Sequence, residues 1–382
     1  MTHPIRIRTV LDARSRSSKY LFQVLLLAAS WHRHVRRTAP LEVLVIDELP
    51  RDMRRFLTEL GAQIRTSAPD PNDYISRTSN TIVGACDTEG QRILLVDNDV
   101  VFQGDLSDLC ETDSQYVMGS IAGQMRVNDS QWSAIREHFG CGPLSTNRCS
   151  LRELIRAAVE PEYQPKPLAN VYVNGGVLLL PVGEEFGPLW RRCVREIGEL
   201  FKTHPLRNGS VYGSNMAGLA MAIAKYGKFF WLDTRFNYRA GCFALGLEPP
   251  ERIEIVHLTG LNDTHRTVTR RIEYYWQQKM IRQFSRATSP ALSSEDVRIR
   301  LDVIESQHHE LLSLIDEYDL DRRSRQLPVD FGHLWKSKWH RRVAQPFNVV
   351  FRKTFSSAAQ LRRRLAASTA DSGPSGDSQH PT

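Results

Sequence analysis

The chain has no C-x-x-C pair and no two histidines at zinc-site spacing. Its six cysteines (Cys86, Cys110, Cys141, Cys149, Cys193 and Cys242) are scattered, and only Cys141 and Cys149 are close in sequence. Reduced, cytosolic thiols are therefore expected rather than a disulfide framework. Long apolar runs are missing as well. The longest, such as VLLLAA after Gln23, fall far short of the roughly 20 residues that a membrane span needs. The opening MTHPIRIRTV lacks the apolar stretch of a secretory signal. Together these absences point to a cytoplasmic protein. No internal repeat is present.

One absence is local. Residues 331–366 contain no acidic residue but nine basic ones: Lys336, Lys338, Arg341, Arg342, Arg352, Lys353, Arg362, Arg363 and Arg364. Those nine exceed the net charge of +7 carried by the whole chain, so the remainder is slightly acidic. Trp335, Trp339, Phe347, Val350, Phe351 and Phe355 are interleaved with them. Such a segment suits the anionic inner face of a membrane, and equally a basic helical tail packed on the core. Nucleic acid is not expected as a partner, since no recognition module is visible.

What is present is a globular composition, 41% apolar and 24% charged over 382 residues, enough for one large domain or two ordinary ones. Strand and helix signals alternate. Strands are expected at Ile5 to Leu11, Leu41 to Ile46, Gln63 to Arg65 and Arg92 to Val96. Helices are expected at Ser18 to Val35, Pro50 to Leu60 and Ser79 to Cys86. This order implies an α/β fold with a mostly parallel, Rossmann-like sheet flanked by helices. Residues 124–168 read as an insertion with two helical stretches. Strands at Tyr116 to Ile121, Val171 to Leu180, Phe229 to Leu232 and Ile253 to Leu258 follow, with helices at Phe186 to Lys202 and Ser214 to Tyr226. The domain expected over 1–285 is followed by a helical, basic C-terminal extension over 286–366 and a disordered tail over 367–382. In the extension, Val297, Leu301, Ile304, Leu311 and Ile315 form a helical stripe, either packed on the domain or forming a short coiled-coil seam.

Three segments carry chemistry. ILLVDNDVVFQGDLSDL, Ile93 to Leu109, is a buried strand that ends in Asp97 and Asp99. Ligands in open α/β sheets gather at the carboxyl ends of strands. Two carboxylates there are costly without a cation, and hard oxygen ligands suit Mg²⁺ or Mn²⁺ with phosphates. A plain strand-end turn would use the same residue types. VYVNGGVLLLPV, Val171 to Val182, has a glycine pair inside a strand, marking a bulge or a close approach, with Asn174 beside it. IEIVHLTGLNDTHR, Ile253 to Arg266, delivers His257 at a strand end, as a structural histidine or as a metal ligand.

In order and spacing, these segments resemble the signature of family 8 glycosyltransferases and related GT-A enzymes. The matches are D-x-D at Asp97-Asn98-Asp99, a G-[DN]-L stretch at Gly104-Asp105-Leu106, N-[SG]-G-[VM] at Asn174-Gly175-Gly176-Val177, and V-H-[FLY]-x-G at Val256-His257-Leu258-Thr259-Gly260. The likeness spans about Ile5 to Tyr275. It implies a GT-A glycosyltransferase (a hexosyltransferase) with a nucleotide-sugar donor, a glycan or lipid acceptor and Mn²⁺ or Mg²⁺. It further implies Asp97, Asp99 and His257 as metal ligands, with Asp97 also touching the donor ribose. Asn174 and Gly175 would touch the donor sugar, Asp12 and Tyr20 would flank the base, and Asn80 would make a polar donor contact. The family's phosphate-gripping lysine is replaced by Asp263, which leaves Arg266 as a substitute. Its D-Q pair is replaced by Asn215-Met216, which makes Asn215 the nearest catalytic substitute.

Two other readings stay open at this point. The strand plus D-x-D-x-V also resembles the nucleophile loop of haloacid-dehalogenase-type phosphatases. That loop needs a late acidic pair, and Asp233 stands alone in WLDTRFN. The departures at Asn215 and Asp263 also admit a non-catalytic GT-A-like binding protein.

Overall fold

The computed structural model describes residues 4–15, 17–73, 77–123, 127–142, 146–168, 171–203, 215–246, 252–261, 265, 267–287 and 293–327. The basic segment 331–366, the tail 367–382, Arg266 and Asp263 lie outside them.

The strands are β1 (Ile5–Asp12), β2 (Leu41–Ile46), β3 (Gln63–Ser67), β4 (Arg92–Val96), β5 (Val100–Phe102), β6 (Val117–Ile121), β7 (Val173–Leu179), β8 (Phe229–Trp231), β9 (Tyr238–Arg239) and β10 (Ile255–His257). The helices are α1 (Ser18–His34), α2 (Arg51–Glu59), α3 (Ser107–Cys110), α4 (Asp129–Phe139), α5 (Leu151–Val159), α6 (Phe186–Thr203), α7 (Asn215–Tyr226), α8 (Ala240–Leu245), α9 (Val268–Tyr275), α10 (Ile281–Ala287), α11 (Ser294–Glu317) and α12 (Leu320–Arg325). A 3₁₀ helix covers Arg77–Ala85, and a π-helical turn, Trp276–Met280, joins α9 to α10.

Seven strands form one sheet in the order β3-β2-β1-β4-β7-β6-β8. The pairs β3–β2, β2–β1, β1–β4 and β6–β8 are parallel, while β7 runs antiparallel to both β4 and β6. The expected α/β class with a mainly parallel sheet is thus what forms. Both faces are covered, which is why β2 and β4 are buried throughout and, apart from Glu42 and Arg92, apolar rather than alternating. In β4, Leu94 and Val96 enter the core beneath α1 and α2, and Ile93 and Leu95 enter the core beneath α6 and α7. The chain builds β1, β2 and β3 in one direction and then returns to lay β4 on the other side of β1. The strand order therefore reverses between β1 and β4, where a crevice opens at the carboxyl ends.

A second, three-stranded sheet in the order β5-β10-β9 packs over that end. Its strands are two or three residues long, too short to carry a periodicity, and β5 and β9 are not evident in the sequence.

The helix expected over Ser294 to Tyr318 is α11. Its stripe faces the domain: Ile304, Leu311 and Ile315 are buried and Val297 and Leu301 are partly covered. Arg33 and His34 at the end of α1 both meet Glu310 on α11, at 2.9 and 3.0 Å. The stripe is therefore spent within the chain rather than on a coiled-coil seam.

Candidate functional site

The hydrophobic run of β4 ends at Val96, and the next three residues turn out of the sheet as Asp97-Asn98-Asp99. Asn98 anchors this turn, because its side-chain oxygen accepts a 2.8 Å hydrogen bond from the Thr9 hydroxyl on β1. The Asp97 N–H donates to the Gly176 carbonyl on β7 at 2.9 Å. The Leu258 N–H donates to the Asp99 carbonyl at 2.7 Å, which ties β10 to the same turn. The three segments singled out in the sequence thus meet at the β1–β4 crevice.

One ligand-type atom from each of Asp97, Asp99 and His257 lies within 4.8 Å of the other two. His257 is 3% exposed, and its Nε2 is 3.2 Å from Asp99 Oδ1. The Asp97 carboxyl is pushed up to about 7, first by burial and then by the neighbouring Asp99 charge, with His257 opposing both. Two carboxylates and an imidazole that converge in a poorly hydrated place form a donor set for a divalent cation. Gly176 makes room for it. A Cβ there would lie 2.0 Å from His257 Cε1, so only glycine lets the imidazole sit against β7. The tight glycine of the pair is therefore Gly176, whereas a Cβ at Gly175 would meet nothing within 4 Å.

Asn174 lies at the same spot, half-buried, with its Oδ1 accepting from the Gly176 N–H at 3.1 Å and from Asn237 Nδ2 at 3.0 Å. Asn237 Oδ1 is 3.1 Å from His257 Nδ1. Asn237 is fully buried and was not a candidate from the sequence. It precedes the two-residue β9, and nothing local marks it.

The expected nucleoside end is arranged differently. Asp12, at the carboxyl end of β1, is bridged to Asp73 by Arg14, whose guanidinium reaches Asp12 at 2.7 and 2.9 Å and Asp73 at 2.8 and 3.0 Å. These two carboxylates hold the Arg14 guanidinium well above the ordinary arginine range. Asn80, 2% exposed, accepts from the Asp70 N–H at 2.8 Å and donates to Asp12 at 3.1 Å and Asp73 at 2.8 Å. Its amide is engaged inside the protein, so it orients these acids rather than offering a free group. Tyr20 stands on α1 with its ring 42% exposed and the Lys19 ammonium 5.2 Å from the ring centre.

Asn215 opens α7. Its Nδ2 donates to the Thr78 carbonyl at 3.0 Å, and its own carbonyl accepts from Trp190 Nε1 at 3.0 Å. It therefore lies against the 3₁₀ helix that carries Asn80, and among the described residues no hydrogen bond joins it to the aspartate–histidine cluster.

A second residue that the sequence reading missed is Lys279, in the π-helical turn. Its ammonium sits 3.0 Å from where a Cβ on Gly260 would be, over the turn three residues beyond His257. It is half-buried and has no carboxylate partner among the described residues. Single π turns insert a residue and re-aim side chains, often at functional sites, and here the turn aims Lys279 at the H-x-x-G loop. Tyr275, one residue before that turn, carries a buried hydroxyl without a hydrogen-bond partner among the described residues. Burial, and after it the Asp99 charge, pushes that hydroxyl up.

No helix among the described residues is long and apolar enough to cross a membrane. No family model and no curated protein matches the chain. Among solved structures it is similar to the glycosyltransferase GlyE of Streptococcus pneumoniae TIGR4 in its apo form, with 17% identity over 75% of this chain and 64% of that chain and a TM-score of 0.41. It is also similar to an active-site mutant of LgtC (16% identity, 77% of this chain, 99% of that chain, TM-score 0.42). A third is mouse xyloside xylosyltransferase 1 in its apo form (11% identity, 66% of this chain, 96% of that chain, TM-score 0.40). The chain thus spans less than two thirds of the GlyE chain. The GlyE and xylosyltransferase structures are of sugar-transferring enzymes by name, but at these identities and scores the likeness adds nothing to the geometry of the crevice.

Proposed function

We propose that this protein is a metal-dependent glycosyltransferase. In this reading it moves a hexosyl group from a nucleoside diphosphate sugar, a UDP-sugar, to a hydroxyl of a glycan or lipid acceptor, with retention at the anomeric carbon. The observation that carries the reading is the convergence of Asp97, Asp99 and His257 ligand atoms within 4.8 Å at the β1–β4 crevice.

Those three residues would hold Mn²⁺ or Mg²⁺, with the remaining positions left to the donor diphosphate. The ion supplies a Lewis acid for the charge that builds on the leaving diphosphate, so no side chain need protonate it. The chain's own residues bind and orient. Asn174 offers an amide to the donor sugar, and the open space above Gly175 takes the ring. Lys279 supplies a positive charge for phosphate where the sequence has Asp263 in place of a lysine, and Arg266 is a second candidate. Asp12 and Tyr20 flank the base, with Asn80 and Arg14 fixing Asp12. Asn215 holds the 3₁₀ helix beside them. Retention fits the commitment of the acids: Asp97 and Asp99 would hold the metal, and Asp12 and Asp73 face Arg14. None of these four is left as a base for the acceptor hydroxyl.

The acceptor side is assigned to 124–168, since acceptor choice lives in loops. The start of α5 is pinned to the end of β6, with the Leu151 and Arg152 N–H groups donating to the Ala122 and Gly123 carbonyls at 3.3 and 2.9 Å. The basic segment 331–366 would bring the enzyme to an anionic membrane surface on the cytoplasmic side, where a lipid-linked acceptor lies.

A thermal-shift screen of nucleoside diphosphates with and without Mn²⁺, followed by UDP-sugar hydrolysis, tests the reading. A Mn²⁺-dependent shift and turnover are expected. A shift without turnover would leave a binding protein. No metal-dependent shift with any nucleotide, or turnover of para-nitrophenyl phosphate instead, would overturn the reading.

A further inference from the structure

We propose that Asn237 is a positioning residue that fixes both the tautomer of His257 and the orientation of Asn174, through a hydrogen-bond relay with a single allowed polarity. The inference rests on the reading of Asp97, Asp99 and His257 as metal ligands.

The polarity starts at a group that can only donate. The Gly176 backbone N–H points at the Asn174 side chain at 3.1 Å, so the atom facing it is the amide oxygen. That oxygen is also 3.0 Å from the Asn237 side chain. Two amide oxygens in contact would repel, so Asn237 turns its Nδ2 toward Asn174 and its Oδ1 toward His257. The His257 atom 3.1 Å from that oxygen is Nδ1, which must therefore carry the proton. A neutral imidazole has one N–H, so Nε2 is left with its lone pair, 3.2 Å from Asp99 Oδ1. A lone pair against a carboxylate is unfavourable with nothing between them and favourable with a cation between them. One backbone N–H on β7 thus dictates, through two amides, that His257 presents the atom a metal needs. Asn237 is fully buried, so bulk water cannot replace it as the acceptor.

The same relay determines what Asn174 can recognise. Its oxygen already accepts twice, and its Nδ2 has no partner among the described residues. Asn174 therefore presents two N–H donors, and the ligand group it meets is an acceptor oxygen, either a sugar hydroxyl or a carboxylate.

Two measurements test the relay without nucleotide or turnover. In metal-free protein with ¹⁵N-labelled histidine at mildly alkaline pH, His257 is expected as the Nδ1–H tautomer, with Nε2 of pyridine type. An Nε2–H tautomer would overturn the relay. In Mn²⁺ titrations, Asn237→Leu is expected to weaken binding by about 10- to 100-fold, the usual loss for a residue that orients a metal-bound histidine. Asn237→Asp should lose less Mn²⁺ affinity than Asn237→Leu, because a carboxylate still accepts the same Nδ1–H, although it can no longer donate to the Asn174 oxygen. Equal affinity in wild type and folded Asn237→Leu would overturn the relay, and so would equal losses in the two variants. If both measurements come out as expected but no UDP-sugar is turned over, the transferase reading falls and the relay stands.

Discussion

The two ends of the crevice both hold paired aspartates, and they treat them in opposite ways. At the end beside β1, Asp12 and Asp73 are bridged by Arg14 and hydrogen-bonded by Asn80, so their charge is balanced from within. At the other end, Asp97 and Asp99 face His257 with no arginine or lysine among the described residues bridging them, and the Asp97 carboxyl is pushed up to about 7. A carboxylate pair is therefore not by itself a metal site. What marks one is charge that the fold has gathered and not neutralised, because desolvated like charges are tolerated only where a cation arrives later.

The largest effect should follow from removing a ligand at the unbalanced end. Wild type with nucleoside diphosphate should gain about 2.7 kcal/mol from Mn²⁺ at a hundredfold excess over its dissociation constant. Asp99→Ala should lose that gain in thermal denaturation. It should also lower turnover by ~1,000-fold, since the metal contributes several kcal/mol at the leaving group. A variant that keeps both would break the contrast between the two ends.

The glycine pair sharpens it. Gly176→Ala drives a methyl into the His257 ring and should cost about 10- to 100-fold in Mn²⁺ affinity, as a displaced ligand would. Gly175→Ala has open space and should leave Mn²⁺ affinity alone while raising the KM for the sugar nucleotide. Isothermal titration with Mn²⁺ alone separates them, and equal Mn²⁺ losses at both positions would mean the strand, not the ring, was disturbed.

Acidity gives a third handle. Asp97 titrates near 7 in the metal-free fold, against about 3.9 in an unfolded chain. Between those values the folded state binds the extra proton, so metal-free stability should fall as pH rises through that window and level off above it. Metal binding needs the proton gone, so the Mn²⁺-induced shift should grow over the same rise. Paired melting curves across pH check both signs, and a Mn²⁺ shift that shrinks as pH rises would count against Asp97 as a ligand.

The smallest effect belongs to the balanced end. Arg14→Gln takes away a partly exposed ion pair, so stability should drop only on the order of 1 kcal/mol at low salt. Affinity for Mn²⁺ without nucleotide should not change. A lost Mn²⁺ response would show that the two ends are one electrostatic unit after all.

Much of this was legible in the sequence. The buried runs of β2 and β4, the helix stripe of α11 and the D-x-D at a strand end are local signals, because each is written in neighbouring residues whose spacing matches a helix or strand period. Asp97, Asp99 and His257 could be nominated because each follows a short apolar run. Asn237, Arg14 and Lys279 could not, since their meaning lies in partners far along the chain. Asn237 meets Asn174 across 63 residues and His257 across 20, and Arg14 meets Asp73 across 59.

The sequence by itself therefore determined the class of fold and the residue types at the crevice, because hydrophobic period and ligand chemistry are properties of short segments. Only the tertiary structure decided which acids are balanced and which are left for a cation, which glycine is tight, and which way each amide points. Those are questions of distance and donor direction between strands that the sheet order, and not the chain, makes neighbours.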